Sequence, residues 1–207
     1  MRGRFITLEG GEGVGKSTQL VRLAEAVRSR GQEVVTTREP GGTTGAENIR
    51  DLLMTGAEDR WSARTEALLF AAARADHVEK LINPALRRGA WVICDRFIDS
   101  TRAYQGGADG IEDADILMLH GIGSAGLLPD RTLLLTLPVA QSSARLHKRD
   151  GEKTDRMGAR DAVYHAKVTS LFETLSHNDL DRFRVIVADG NEQIVTQRLV
   201  EALEDWL

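Results

Sequence analysis

The chain has 207 residues, a length that suits one α/β domain with a sizeable core. Hydrophobic residues at 42% and charged residues at 28% are ordinary for a soluble globular protein, and a net charge of −4 argues against a general nucleic-acid binder, which needs a basic field. The single cysteine, Cys94, excludes an internal disulfide and a cysteine metal cluster; its setting, Trp91-Val92-Ile93-Cys94-Asp95, reads as a small apolar residue in a buried strand. Arg2 and Arg4 precede an apolar run that Glu9 and the glycines cut too short for a signal peptide. No stretch approaches membrane-spanning length, so cytoplasmic residence without a membrane partner is expected.

In chain order, Phe5, Ile6 and Leu8 form a compact apolar run, as a buried strand does. Gly10-x4-Gly15-Lys16-Ser17 follows, the phosphate-binding P-loop pattern, and then Leu20, Leu23, Ala24 and Val27 recur at helical spacing. Strand, glycine loop and helix are the arrangement that the motif needs. Gly10, Gly11, Glu12, Gly13, Val14, Gly15, Lys16, Ser17 and Thr18 then cradle the phosphates of a nucleotide. Backbone N–H groups point inward, and the start of the helix adds roughly half a positive charge. Lys16 reaches the β- and γ-phosphates, and the Ser17 hydroxyl ligates Mg²⁺.

Beyond this helix, Glu33 to Thr37 reads as a second strand and Arg38-Glu39-Pro40-Gly41-Gly42-Thr43 as a loop. Ala46 to Met54 reads as a short helix. A polar connector, Thr55 to Arg60, leads to a long helical run from Ser62 to Arg88, which Pro84 is expected to kink or restart. Strands are expected at Trp91 to Asp95, Leu133 to Leu137 and Arg184 to Ala188, with a helix at Asp113 to His120 and a terminal helix from Glu192 to Trp206. Arg145 through Arg160 is a charged, glycine-punctuated interruption of helical sequence. The pattern predicts an α/β fold of the P-loop kind: a five-stranded parallel sheet with helices on both faces, in one domain spanning 1–207.

P-loop proteins divide by their second motif. A switch GTPase needs an Asn-Lys-x-Asp, which this chain lacks, and its one Asp-x-x-Gly, Asp155 to Gly158, does not follow an apolar strand. A remodelling ATPase usually ends its second acidic strand in Asp-Glu. Here Asp95 is followed by Arg96, so a carboxylate near Mg²⁺ sits beside a guanidinium suited to a second anionic substrate.

With Thr37-Arg38-Glu39-Pro40-Gly41-Gly42-Thr43 and Asp95-Arg96-Phe97…Ala103-Tyr104-Gln105-Gly106 added to the P-loop, the chain closely resembles the bacterial thymidylate kinases. The matching segments are Phe5–Thr18, Thr37–Thr43, Ile49-Arg50, Thr65–Arg74, Cys94–Gly107 and Pro129–Leu137. The resemblance implies transfer of the γ-phosphoryl of ATP to dTMP, giving dTDP and ADP, with Mg²⁺ dependence, a closing lid at 145–160 and a homodimer packed through helices.

It also implies roles. Arg50 and Arg96 hold the dTMP phosphate, and Arg96 approaches the transferred group. Asp95 orients water around Mg²⁺, and Arg38 contributes to the same anion-rich site. Phe70 and Arg74 lie four apart on one helix, hence on one face: the ring stacks on thymine and the guanidinium reaches its exocyclic oxygen. On an arbitrary helix Phe70 would be core and Arg74 its cover, but here Leu68 and Leu69 can supply the core packing; His77 is read as a bystander. Thr101 and Gln105 match positions that hydrogen-bond the pyrimidine, Tyr104 the tyrosine against the sugar's 2′ carbon, and Glu12 the acid that contacts the 3′-hydroxyl. In the lid, Arg149 and Arg156 are both candidates for the catalytic arginine, and Arg145 lies against adenine. Gly158 stands where relatives usually carry a glutamate, which leaves the choice between the two arginines open.

Two other readings fit the P-loop. One is a kinase for a different nucleoside monophosphate, against which Phe70, Arg74, Thr101, Tyr104 and Gln105 argue. The other is a non-catalytic nucleotide sensor, against which the intact Lys16, Ser17, Asp95 and Arg96 argue.

Overall fold

The computed structural model describes residues 2–57, 59–138, 141, 142, 145, 156, 158 and 160–207. Five strands, β1 (Phe5–Glu9), β2 (Val34–Arg38), β3 (Trp91–Asp95), β4 (Arg131–Thr136) and β5 (Phe183–Val187), form one parallel sheet in the order β2-β3-β1-β4-β5. Central β1 is buried along its whole length, which is why its sequence is a nearly unbroken apolar run; edge strands β2 and β5 expose alternate residues. The strand limits lie within two residues of those expected.

Helices cover both faces. On one, α1 (Lys16–Arg28) and the last long helix, α8 (Glu192–Glu201), bury Leu23, Val27 and Leu199 against Ile6, Leu8, Ile93 and Leu133. On the other, Phe5, Val92 and Cys94 meet Ile82, Leu86, Phe97 and Ile116. The period of two along β3 thus sends Trp91 and Ile93 to one face and Val92 and Cys94 to the other. Cys94 is buried, as its setting implied.

The remaining helices are α2 (Thr44–Met54), α3 (Ala63–His77), α4 (Asn83–Arg87), α5 (Ile98–Thr101), α6 (Asp113–Ser124) and α7 (Ala162–Asn178). Pro84 restarts the long run, as expected, at the first turn of α4. A π-helical segment, Val78–Ile82, lies between α3 and α4, and the Asn83 N–H reaches back to the Val78 carbonyl, so the helix widens ahead of a residue that has no N–H.

The terminal helix is shorter than expected. It stops at Glu201: Arg131 donates to the Ala202 carbonyl at 2.7 Å and to Asp205 Oδ1 at 2.6 Å, and a 3-10 turn, Glu204–Trp206, follows. No helix is expected from the sequence at Ile98–Thr101 or at the π-helical Arg102–Ala108 that follows it, because Gly106 and Gly107 mask the helical pattern there. No helix among the described residues is long and apolar enough to cross a membrane.

Candidate active site

The site lies at the carboxyl ends of β1, β2 and β3, where the loops after parallel strands meet. Gly10 turns the chain out of β1 at φ 132°, and a Cβ there would sit 2.3 Å from the Leu135 carbonyl oxygen, so this position requires glycine. Gly15, at φ 99°, starts α1, which has neither a side-chain cap nor an acid in its first turn. Its free N–H groups and dipole are therefore available to a phosphate. Lys16 donates to the Gly10 and Gly11 carbonyls at 3.0 and 2.7 Å, and burial pulls its ammonium down to about 8.

Register places Asp95 of β3 beside Leu8 of β1. This brings Asp95 Oδ2 within 2.7 Å of the Ser17 hydroxyl, which donates to it. A hydroxyl and a carboxylate are hard oxygen donors of the kind that suit magnesium, so Ser17 and Asp95 would hold the ion when it is bound. Among the described residues there is no group of three or more His, Cys, Asp or Glu that could hold a metal ion.

Arg96 follows at φ 70°, a left-handed conformation that costs a non-glycine residue about 1–3 kcal/mol and marks a functional constraint. Its Nη1 donates to the Gly10 carbonyl (3.1 Å) and to Ser100 Oγ (3.0 Å); its Nη2 donates to Glu12 Oε1 (2.5 Å) and Tyr104 OH (3.3 Å). Tyr104 also donates to Glu12, at 3.2 Å. The Arg96 guanidinium, with Lys16 assisting, holds Glu12 at about 2. Burial opposes the Arg96 charge, yet Tyr104, Glu12, Asp95 and Glu9 outweigh it and raise its pKa. Beneath, Glu9 accepts from the Phe97 N–H at 2.7 Å and from Ser100 Oγ at 2.6 Å, fixing the turn that carries Arg96. Burial, with Asp99 nearby, raises the Glu9 carboxyl above its usual range.

At the far end of the cavity Phe70 is half-buried and Arg74 is buried. Arg74 Nε donates to Glu39 Oε2 at 2.7 Å and its Nη2 to Thr101 Oγ1 at 2.8 Å. Two expectations need correction here. His77 is no bystander: fully buried, it sits 3.1 Å from Glu39 Oε1 through Nδ1 and 2.7 Å from Thr37 Oγ1 through Nε2, so it braces the carboxylate that braces Arg74. Leu68 does not supply core; it is 54% exposed, and the small Ala67 and Ala73 fill the buried face of α3 instead.

A cavity of about 850 Å³ joins these parts, running from the P-loop to Phe70 on one side and to Gly190–Val195 on the other. The P-loop residues Glu12 to Thr18, Arg38, Arg50, Phe70, Arg74, Asp95, Arg96, Thr101, Tyr104, Gln105 and Arg145 all line it. Arg50 donates to the Pro40 carbonyl at 2.8 Å, and Arg38 pairs with Glu47 at 3.0 Å near the surface. Arg145 Nη1 stands 4.0 Å from where a Cβ would lie at Gly15, over the P-loop.

Two lid positions differ from this pattern. Arg149 lies outside the described residues. Arg156 is buried behind the cavity and does not line it: its guanidinium meets Glu66 and donates to the Leu53 carbonyl at 2.8 Å. Sequence reasoning also missed Glu9, Glu39 and Glu66 as supports of the site. A carboxylate with no polar face to occupy, such as Glu66 in an alanine-rich helix, was the available signal.

Fold and site together define a P-loop phosphotransferase, with the lysine loop and the Asp95-Arg96 turn lining one cavity. A family model described as Thymidylate kinase matches residues 8–199. A thymidylate kinase of Rhizorhabdus wittichii is 58% identical over 207 residues, covering both chains in full, and one of Afipia carboxidovorans is 44% identical over all of this chain and 91% of its own. A crystal structure of thymidylate kinase from Ehrlichia chaffeensis matches with a TM-score of 0.78 at 30% identity, covering 98% of this chain and 100% of that one. The chain belongs to the thymidylate kinase family.

Proposed function

We propose the following division of labour for a thymidylate kinase that transfers the γ-phosphoryl of ATP to dTMP, giving dTDP and ADP. The donor phosphates rest on Gly10 to Thr18, with Lys16 turning its ammonium from loop carbonyls to the phosphates. Magnesium, held through Ser17 and Asp95 when bound, neutralises charge on the transferring group. Arg96 and Arg50 hold the acceptor phosphate from the other side, with Arg38 at its rim. Glu12 and Tyr104 receive the sugar, and Phe70, Arg74, Thr101 and Gln105 the thymine. Positioning and charge neutralisation are the main catalytic contributions, since two polyanions must be brought into line.

The observation that carries this reading is Arg96, whose guanidinium is anchored at once to the P-loop carbonyl of Gly10 and to Glu12, beside the Ser17–Asp95 pair. An ADP-release assay comparing dTMP, dUMP, UMP, AMP and dGMP tests it. Faster turnover of UMP or AMP than of dTMP would overturn the assignment of the base site.

The segment 145–160 serves as the lid of a single domain, and Arg149 is the favoured one of its two candidate arginines, because the guanidinium of the other, Arg156, is engaged with Glu66. The protein works as a homodimer in the cytoplasm. Leu68 on α3 and Met118 and Ile122 on α6 are exposed, at 54%, 64% and 80%, on two helices that pack together, and a second copy would cover them. Light scattering after gel filtration distinguishes dimer from monomer.

A further inference from the structure

Behind the base end of the cavity lies a buried carboxylate that the chemistry of transfer does not use. Glu66 sits on α3 one turn before Phe70 and is fully buried. Its two oxygens have separate partners: Oε1 accepts Nε2 of Gln105 at 2.8 Å, while Oε2 accepts Nη2 of Arg156 and lies 3.8 Å from Nη2 of Arg160. An ionised carboxylate can only accept hydrogen bonds, and a guanidinium can only donate them. Gln105 must therefore turn its NH₂ to Glu66, and its carbonyl oxygen becomes the end it offers to the cavity it lines.

We propose that Glu66 sets the polarity of Gln105 and thereby decides which pyrimidine edge is accepted: a ring N–H, as at N3 of thymine, and not a bare ring nitrogen, as at N3 of cytosine. Glu66 is a positioning residue. The proposal rests on the reading that the acceptor's base lies against Gln105. Arg156 is its second half, because it fixes which atom residue 66 presents to Gln105. In Glu66→Gln, the new amide must keep its oxygen toward Arg156, so its NH₂ falls toward Gln105. Gln105 then presents its own oxygen to residue 66 and turns its NH₂ into the cavity. The substitution does more than weaken the site; it reverses the hydrogen-bond sense of its wall.

The test compares kcat/KM for dTMP and 5-methyl-dCMP, which differ only at N3 and C4. Arg74 is unchanged throughout, so a change in their ratio on substitution reports the N3 edge. The expected result is a fall of at least about tenfold in the dTMP preference of Glu66→Gln, through a higher KM for dTMP and a gain with 5-methyl-dCMP. Added to Gln105→Leu, which has no amide to orient, Glu66→Gln should leave the ratio unchanged.

A ratio unaltered by Glu66→Gln in a folded variant overturns the proposal. If Gln105→Leu alters the ratio in that case, the base placement stands and only the polarity claim falls; if it does not, both fall. The wild-type protein supplies a check that needs no substitution. A dTMP analogue with C–H in place of N3–H should show a KM raised about tenfold with kcat little changed, because the Gln105 oxygen is left unpaired, and an equal KM overturns the proposal.

Discussion

Arg96 Nη2 and Glu12 Oε1 stand 2.5 Å apart, a pair joining residues 84 positions distant and tying the Asp95-Arg96 turn to the P-loop. The pair has a pH signature. Glu12 is held at about 2 in the folded protein, against an ordinary 4.5, chiefly by Arg96. Its folded value is depressed, so its stabilisation is complete above about pH 4.5 and is lost as pH falls toward about 2. Urea unfolding across that window should show a falling midpoint that is flatter in Glu12→Gln. Parallel curves would mean that the pair adds nothing to stability. Turnover of dTMP should drop in the same variant, because the sugar loses its carboxylate acceptor.

Lys16 predicts a second profile. Burial lowers it to about 8 from 10.5, so the ammonium of the free enzyme is lost as pH rises through about 8. The rate at low ATP, kcat/KM for ATP, should fall over that range, since this parameter reports the free enzyme. The sign for stability is opposite: below about pH 8 the protonated, desolvated side chain disfavours the folded state, and the penalty eases toward pH 10.5. Lys16→Ala should accordingly cost at least about a hundredfold in turnover without lowering the melting temperature. Unchanged activity would contradict the P-loop assignment.

Arg74→Ala should raise the KM for dTMP and weaken base discrimination. It should also destabilise the fold, because Glu39 is left buried beside His77 without its cation, a loss of about 3–5 kcal/mol. Adding Glu39→Gln should return part of that stability while leaving the substrate profile impaired. Chemical denaturation and the nucleotide panel read the two effects separately.

The tail makes a prediction remote from the chemistry. Arg131, buried at the start of β4, lies 3.9 Å from the Trp206 ring centroid and pairs with Asp205; Arg4 stacks on the same ring at 4.6 Å. Trp206→Ala should lower unfolding free energy by about 2 kcal/mol while kcat and both KM values hold at low temperature, because the site occupies the opposite ends of the strands. A kinetic change without a stability change would show that the tail communicates with the site.

The sheet was legible because its signal is local: Phe5-Ile6-x-Leu8 before a glycine loop, and Trp91 to Cys94 without a polar interruption. The residues that line the cavity were legible through motifs for the same reason. What the sequence hid depends on distant partners. Glu39 acts through Arg74, 35 positions on, and Glu66 meets Arg156, 90 positions on, so no spacing announces either. Arg156 sits in a charged run that reads as solvated lid, whereas its guanidinium is buried. On α3 apolar count misled, since Ala67 and Ala73 face inward and Leu68 faces out: size gives no guide to direction where two helices approach closely.

The layout of the sheet has a practical consequence. On the proposed division of labour, the donor and acceptor phosphates are served from the ends of neighbouring strands, β1 and β3, while the base is read by side chains of α3 and of the segment Thr101 to Gln105, at the margin of the scaffold. Re-engineering toward an unnatural nucleobase can therefore be confined to those two segments, and a library that spares Tyr104, the partner of Arg96 and Glu12, would leave the phosphate-handling apparatus untouched.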